Sequence, residues 1–292
     1  MLKNQLKQKL KSPLNLLWLL LFPAIYKGLS LTLNNYNFYK EAINEKELLN
    51  EQAKIAMTKS WDAVSGFTFF AEGSISFTVL IIAALIVGIV YSARYIYDKN
   101  TGFGAYCITR SGYNKYFSAN VISAFLVPFA ITFVILMISL VVLLSVFGAK
   151  APGADFCGDL FSYEPFKNMW FNHPLIMSVV SSLNVSFIVG MYSLIGLGFS
   201  AFIRNRFLVS VSPFAVYLVS IIVPQLFPVG SNISKVLAYF FTDYMTSFFV
   251  LSEDWYFKSA ALAYSIHAFI LIAIAGGLLA VLYNKDKKQY IR

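Results

Sequence analysis

Residues 117–148 read FSANVISAFLVPFAITFVILMISLVVLLSVFG, a run without a single Asp, Glu, Lys or Arg. About 20 apolar residues in a helix cross the roughly 30 Å hydrocarbon core of a bilayer, so this run is long enough to span with residues to spare. Pro128 lies inside it, and the helix is therefore expected to be tilted, kinked or extended beyond the bilayer. The rest of the chain is alike. Of 292 residues, 58% are hydrophobic and 13% charged, with mean hydropathy +0.67. A soluble domain carries about 25% charge to clothe its core; with half that, and with Phe at 28 and Tyr at 18 copies, lipid is the expected surroundings. The same figures exclude fibrous, disordered and disulfide-built classes.

Five further apolar runs follow the same rule: 14–33, 75–97, 174–203, 207–224 and 259–283. Within all six, only Lys27 and Arg94 are charged, both near ends where a long side chain reaches the headgroups. The expected fold is an all-α polytopic membrane protein with six transmembrane helices. Assigning the connecting segments alternately to two sides puts Lys3, Lys7, Lys9, Lys11, Arg94, Lys99, Arg110, Lys115, Arg204, Arg206, Lys285, Lys287, Lys288 and Arg292 on one side. Two acids, Asp98 and Asp286, accompany them, whereas the other side holds 9 basic residues and 12 acids. Basic residues collect on the cytoplasmic side, so both termini are expected there, in a multi-pass protein of the cell membrane. The net charge of +9 then reads as topology and contact with anionic membrane lipids, with no nucleic-acid partner. The first run is broken by Pro23 and followed by Leu31-Thr32-Leu33, which is no small-residue cleavage site, so it is expected to stay as the first span.

Residues 1–13 place Leu2, Leu6 and Leu10 four apart among lysines, the pattern of a short helix lying flat on the inner leaflet or of a frayed basic tail. The outer segment 34–74 repeats apolar residues near helical spacing among charges and reads as an amphipathic outer helix. An outer loop, 149–173, precedes the fourth span. Residues 225–258 are apolar but interrupted by Lys235 and Asp243, which suits an outer re-entrant stretch better than further crossings. Pro213, Pro224 and Pro228 are expected to interrupt the fifth span, and 284–292 forms an inner tail. Trp170 and Trp255 outside, and Tyr91, Tyr95, Tyr97, Tyr113 and Tyr116 inside, read as interfacial aromatic belts. On the fourth span, Ser178, Ser182, Ser186, Gly190, Ser193 and Gly196 fall within one third of the helix circumference, a stripe that reads as a helix-packing seam.

The inner segment 98–116 is the most structured loop. Phe103, Tyr106 and Cys107 fall at i, i+3 and i+4 between Gly102 and Gly112, so one short helix presents an aromatic face. Phe103 and Tyr106 suit a knob for a partner's cleft, with Asp98 and Arg110 placed to pair across the joint. Arg204 and Arg206, in the tight turn after the fourth span, offer a second inner contact.

Catalytic constellations are missing from the sequence. His267 is alone in its span, His173 lies at an outer boundary, and no HExxH, GxSxG or paired intramembrane aspartate occurs. Cys107 and Cys157 have no metal-ligand spacing, so no metal is expected. There is no GxxxxGK[ST] to cradle ATP phosphates, and the buried carboxylates that ion-coupled transport uses are lacking. The chain is therefore expected not to be an enzyme and to hold no cofactor of its own.

Six spans with both ends inside, a basic N-terminal helix, an ordered loop after the second span and an apolar outer stretch before the sixth resemble the membrane subunits of type-2 ABC exporters. In the loop, Asp98, Gly102, Phe103 to Ile108, Thr109-Arg110 and Tyr113 match the family's order of an acidic residue, a Gly-containing stretch, a coupling helix, an Arg and an aromatic. Thr109 stands where the family often has Pro, and Lys115 comes early. The resemblance implies that two such subunits pair, as a second permease copy or with a related permease. It also implies that each docks an ABC ATPase subunit through Asp98, Gly102, Phe103, Tyr106, Thr109, Arg110 and Tyr113, with ATP and magnesium held by that partner. The substrate is left open: a peptide, a lipid or a drug-like molecule. Two other readings stay open, a membrane-embedded sensor or assembly factor binding a ligand through 34–74, and an ATP-independent carrier or channel.

Overall fold

A long apolar run in lipid must satisfy every backbone N–H and C=O within itself, which leaves the α-helix as its form. In the computed structural model of the chain, the described residues are 1–22, 74–147, 173–227 and 260–291, with isolated positions 25, 26, 30, 33, 37, 232, 233 and 236. Among them are eight α-helices and no strand: α1 (Leu2–Leu10), α2 (Ser74–Val87), α3 (Ala93–Asn100), α4 (Phe103–Ser111), α5 (Tyr113–Phe147), α6 (Pro174–Phe199), α7 (Arg206–Gln225) and α8 (Ala260–Ile291). A 3-10 helix, Pro13–Leu20, follows α1, and one π-helical turn, Gly88–Ser92, joins α2 to α3.

Five stretches are long and apolar enough to cross a membrane: Val79–Asn100, Tyr113–Ser145, Leu175–Phe199, Arg206–Val223 and Tyr264–Gln289. The all-helical architecture therefore follows from the apolar runs, with five candidate spans among the described residues. The expected crossing 14–33 is described mainly through its 3-10 opening, and most of its remainder lies outside the described residues. So does nearly all of 34–74, 149–173 and 225–258, with Cys157, Trp170 and Trp255. Large apolar side chains face outward along the bundle, among them Val134, Ile138 and Val141 on α5, Val219 and Ile222 on α7, and Phe269 and Ile272 on α8. Water would oppose so extensive an apolar surface; five such helices are compatible with a multi-pass membrane protein.

Helix α6 is the hub. It packs against α5, α8, α7 and α2, and its stripe Ser178, Ser182, Ser186, Gly190, Ser193 and Gly196 is buried throughout. Small side chains let neighbouring backbones approach, and close packing is what holds helices together where lipid is as apolar as the core. A Cβ on Gly190 would collide with the Phe125 ring of α5, and one on Gly196 with Ser92. Two of the hydroxyls are satisfied locally: Ser182 donates to the Ser178 carbonyl (2.9 Å) and Ser186 to the Ser182 carbonyl (2.6 Å). Ser92 reaches across instead and donates to the Ser193 carbonyl at 3.1 Å, a class of interhelical bond contributing about 0.6–2 kcal/mol in membranes.

The 3-10 opening has a clear internal logic. With three residues per turn, positions i and i+3 eclipse, so Asn15, Trp18 and Leu21 line one side. Trp18 Nε1 donates to the Tyr91 hydroxyl (3.1 Å), and that hydroxyl donates to Asn15 Oδ1 (2.8 Å). Tyr91, held in the π turn, thus gathers two residues that the 3-10 turn sets in line on one side.

One expectation changes and two gain detail. Pro213 does not interrupt the fifth span: α7 runs continuously to Gln225, and the buried Pro213 ring lodges beside Gly88 and Gly196, where the missing side chains leave room. The segment read as the tail 284–292 is helical as far as Ile291, because α8 continues into it with no Gly or Pro after Gly277 to stop it. On α1, Gln5 and Lys9 are buried against α5, Leu6 packs beside them against the core and Leu10 is exposed, so the inward face joins a polar pair to part of the leucine stripe. The physical reason is a partner: Lys9 Nζ donates to the Asn120 carbonyl of α5 at 3.1 Å.

Candidate functional site

One end of the bundle gathers the basic segments. Ser111 donates to Met1 Sδ, Lys285 to the Ala201 carbonyl (3.2 Å), and Arg206 lies over the Tyr97 ring at 5.0 Å. The start of α1, α4, the turn after α6 and the last turns of α8 therefore meet. Helix α4 is suspended here between Gly102 at φ 75° and Gly112 at φ 79°. Both lie in the left-handed region, where a side chain would meet its own backbone, and between them they turn the chain out of α3, through one short helix and into α5. Gly104 faces inward against the Asp98 carbonyl and the Tyr116 hydroxyl.

This anchoring fixes which residues of α4 look out. Cys107 and Ile108 pack toward the core, whereas Ala105, Tyr106, Thr109 and Arg110 are exposed and Phe103 is half-buried. The Arg110 guanidinium lies over the Tyr106 ring, 4.5 Å from its centroid, and the Thr109 hydroxyl donates to the Tyr106 carbonyl at 2.8 Å. A cation on an aromatic face contributes about 0.5–1 kcal/mol at an exposed site and holds both side chains in one pose. The aromatic face expected from Phe103, Tyr106 and Cys107 is thus rotated: the outward surface is Gly102, Tyr106, Thr109 and Arg110. Burial pushes the Cys107 thiol up, with Asp98 adding to the effect and Arg110 opposing it.

Two residues expected on that surface are elsewhere. Asp98 is 1% exposed and pairs with Arg94 Nε at 3.0 Å, one turn earlier on α3, rather than with the same surface as Arg110. Tyr113 is buried, stacks with Phe117 and Tyr283, and donates to the Tyr283 carbonyl at 3.3 Å. Each is held by a neighbour the local sequence does not announce. Tyr95, Tyr113, Tyr116, Phe117 and Tyr283 form one aromatic cluster, and with Tyr91 buried beside Trp18, four of the five tyrosines read as the inner belt are packed inside and only Tyr97 is exposed. Arg204 and Arg206 are exposed, and Arg206 shares the Tyr97 ring with Arg94.

Asp286 is the residue that sequence reasoning passed over. Its carboxylate accepts the Tyr95 hydroxyl (2.6 Å) and the Lys99 ammonium (2.8 Å), clamping α8 to α3. A signal was available: Asp98 and Asp286 are the two acids among fourteen basic residues on their side, and both are buried against a cation. Lone acids in a basic environment are the ones that find internal partners. His173 is exposed ahead of α6 and His267 is buried in α8. Among the described residues no group of three or more His, Cys, Asp or Glu is gathered to hold a metal ion. No protein-family model, no curated protein and no solved structure matches the chain.

Proposed function

We propose that this chain is the membrane-spanning permease subunit of an ATP-binding-cassette exporter, driven by a separate ATPase subunit that docks on α4. The observation that carries the reading is the exposed Tyr106–Arg110 pair, presented on a short helix bracketed by two left-handed glycines and seated between two spans. Such a helix moves as a unit with α3 and α5, so a push on it is delivered to the bundle. The sequence supplies no phosphate-binding loop, and in this reading ATP and magnesium belong to the partner while this chain shapes the path. In this reading the chain crosses six times with both termini in the cytoplasm, and α4 lies on the side where ATP is available. A second permease, identical or related, completes the pathway.

The test is co-purification of the tagged chain, in mild detergent, with a candidate P-loop ATPase expressed beside it. Retention by the native chain and its loss on Tyr106→Ala or Arg110→Glu are the expected results. Undiminished capture by both variants would remove α4 from the docking role.

A further inference from the structure

Beside the clamp of α3 and α8 lies a cleft of about 580 Å³, within the size range of small-molecule sites. Its walls are the end of α3, the turn 200–204 and the last turns of α8, and its charged lining is Lys99, Arg204, Lys285 and Asp286. Asp286 is already engaged by Lys99 and Tyr95. Lys99 and Asp286 therefore cancel, and no carboxylate among the described residues pairs with Arg204 or Lys285. The concavity carries a surplus of two positive charges, with the amides of Asn100 and Gln289 as further donors.

Its position decides the class of anion. Lys285 Nζ rests 4.6 Å over the ring of Phe202, which is itself exposed, and the apolar surface of α7 begins at once with exposed Phe207 and Leu208. A soluble anion has no use for that apolar border, whereas a molecule with a phosphate above and hydrocarbon below uses both. Basic pockets between spans at headgroup depth hold anionic lipids. We propose that this cleft is a headgroup site for an anionic phospholipid, its phosphate between Arg204 and Lys285 and its acyl chains along the start of α7. The assignment is independent of whether an ATPase docks on α4.

The test titrates the full delipidated chain in detergent with phosphatidylglycerol, phosphatidylcholine or inorganic phosphate, and counts bound molecules by native mass spectrometry. Phosphatidylglycerol is expected to bind about tenfold tighter than phosphatidylcholine. Arg204→Gln and Lys285→Gln should each weaken it roughly fivefold, near what one surface cation contributes to anionic-lipid attraction. Arg204→Lys and Lys285→Arg should keep it. Lys115→Gln, an exposed charge outside the cleft, should change nothing. On the native chain, phosphatidylglycerol should shield Lys285 from acetylation more than Lys115, a readout that needs no variant to fold. Equal binding of the two lipids, equal shielding of the two lysines, or an equal loss on Lys115→Gln would overturn the site. Full displacement of the lipid by millimolar inorganic phosphate would overturn its lipid identity.

Discussion

Lys99 and Asp286 are 187 residues apart in the chain and 2.8 Å apart in space. This ion pair, with the Tyr95 hydroxyl on the same carboxylate, fastens the last helix to the end of the first described span. It lies one turn from Gly102, where the chain swings into α4, so the clamp also sets the base on which α4 stands.

Asp286→Asn removes the charge that Lys99 and Tyr95 share. Hydrogen bonds to charged groups contribute about 1.5–3 kcal/mol; the Lys99 side chain is 31% exposed and water takes up part of the loss, so a drop of about 1–2 kcal/mol is expected. Denaturant unfolding in detergent measures it. Lys99→Met and Asp286→Leu combined with Tyr95→Phe should recover most of the drop, because neither a charge nor the Tyr95 hydroxyl is left buried without a partner. An unchanged midpoint for Asp286→Asn would remove the clamp.

At Gly88, a methyl group would run into the Ser210 carbonyl of α7. Gly88→Ala is expected to destabilise by about 1–3 kcal/mol, the range of overpacking in a filled core. Gly276→Ala on α8 meets nothing within 4 Å and should be neutral or stabilising by up to about 1 kcal/mol through helix propensity. Monodisperse recovery after heating ranks the two, and the reverse order would contradict the packing of the π turn at Gly88 against α7.

The Lys9 ammonium is lowered from 10.5 to about 7 by burial, with Asp98 opposing and Arg94 adding to the shift. An undocked α1 would titrate near 10.5. Docked α1 therefore binds fewer protons between pH 7 and 10.5, and docking should strengthen as pH rises through that window, by up to about tenfold per unit. Below pH 7 both forms are protonated and the dependence ends. The distance distribution between spin labels at positions 3 and 115 reads docking directly. Lys9→Met should flatten the profile, and a native profile already flat would exclude a buried Lys9.

Tyr106 and Asp98 should separate cleanly. Tyr106→Ala is expected to lower ATPase capture at least tenfold and to cost no more than its contact with Arg110 contributes, about 0.5–1 kcal/mol, since the ring is exposed. Asp98→Asn is expected to do the opposite first, lowering the midpoint by about 1–2 kcal/mol through loss of the buried partner of Arg94. Should both variants move capture and stability in equal measure, the division between an outward contact and an inward brace fails.

Much of the site was legible locally. Gly102 and Gly112 bracket α4 as their spacing suggests, and the helix between them follows from residues 103–111 alone. Its facing did not follow. Phe103, Tyr106 and Cys107 look equivalent on a helical wheel, yet Gly104 pressed against Tyr116 decides that Cys107 turns in and Tyr106 turns out. The same holds for α1, where a leucine stripe suggested a face for the inner leaflet, yet the Asn120 carbonyl of α5 captures Lys9 and Leu6 turns inward beside it.

By itself, then, the sequence determined that the chain is helical and apolar enough for lipid, where the long helices run, and that the cations collect at one end, because span length and charge are properties of consecutive residues. Only the tertiary structure decided which faces are inside: that Pro213 fills a notch, that Asp98 and Asp286 are buried, that Tyr113 joins an aromatic cluster. The reason is that lipid and protein interior are alike in polarity, so an apolar helix carries no mark of which side its neighbours will cover until they are there.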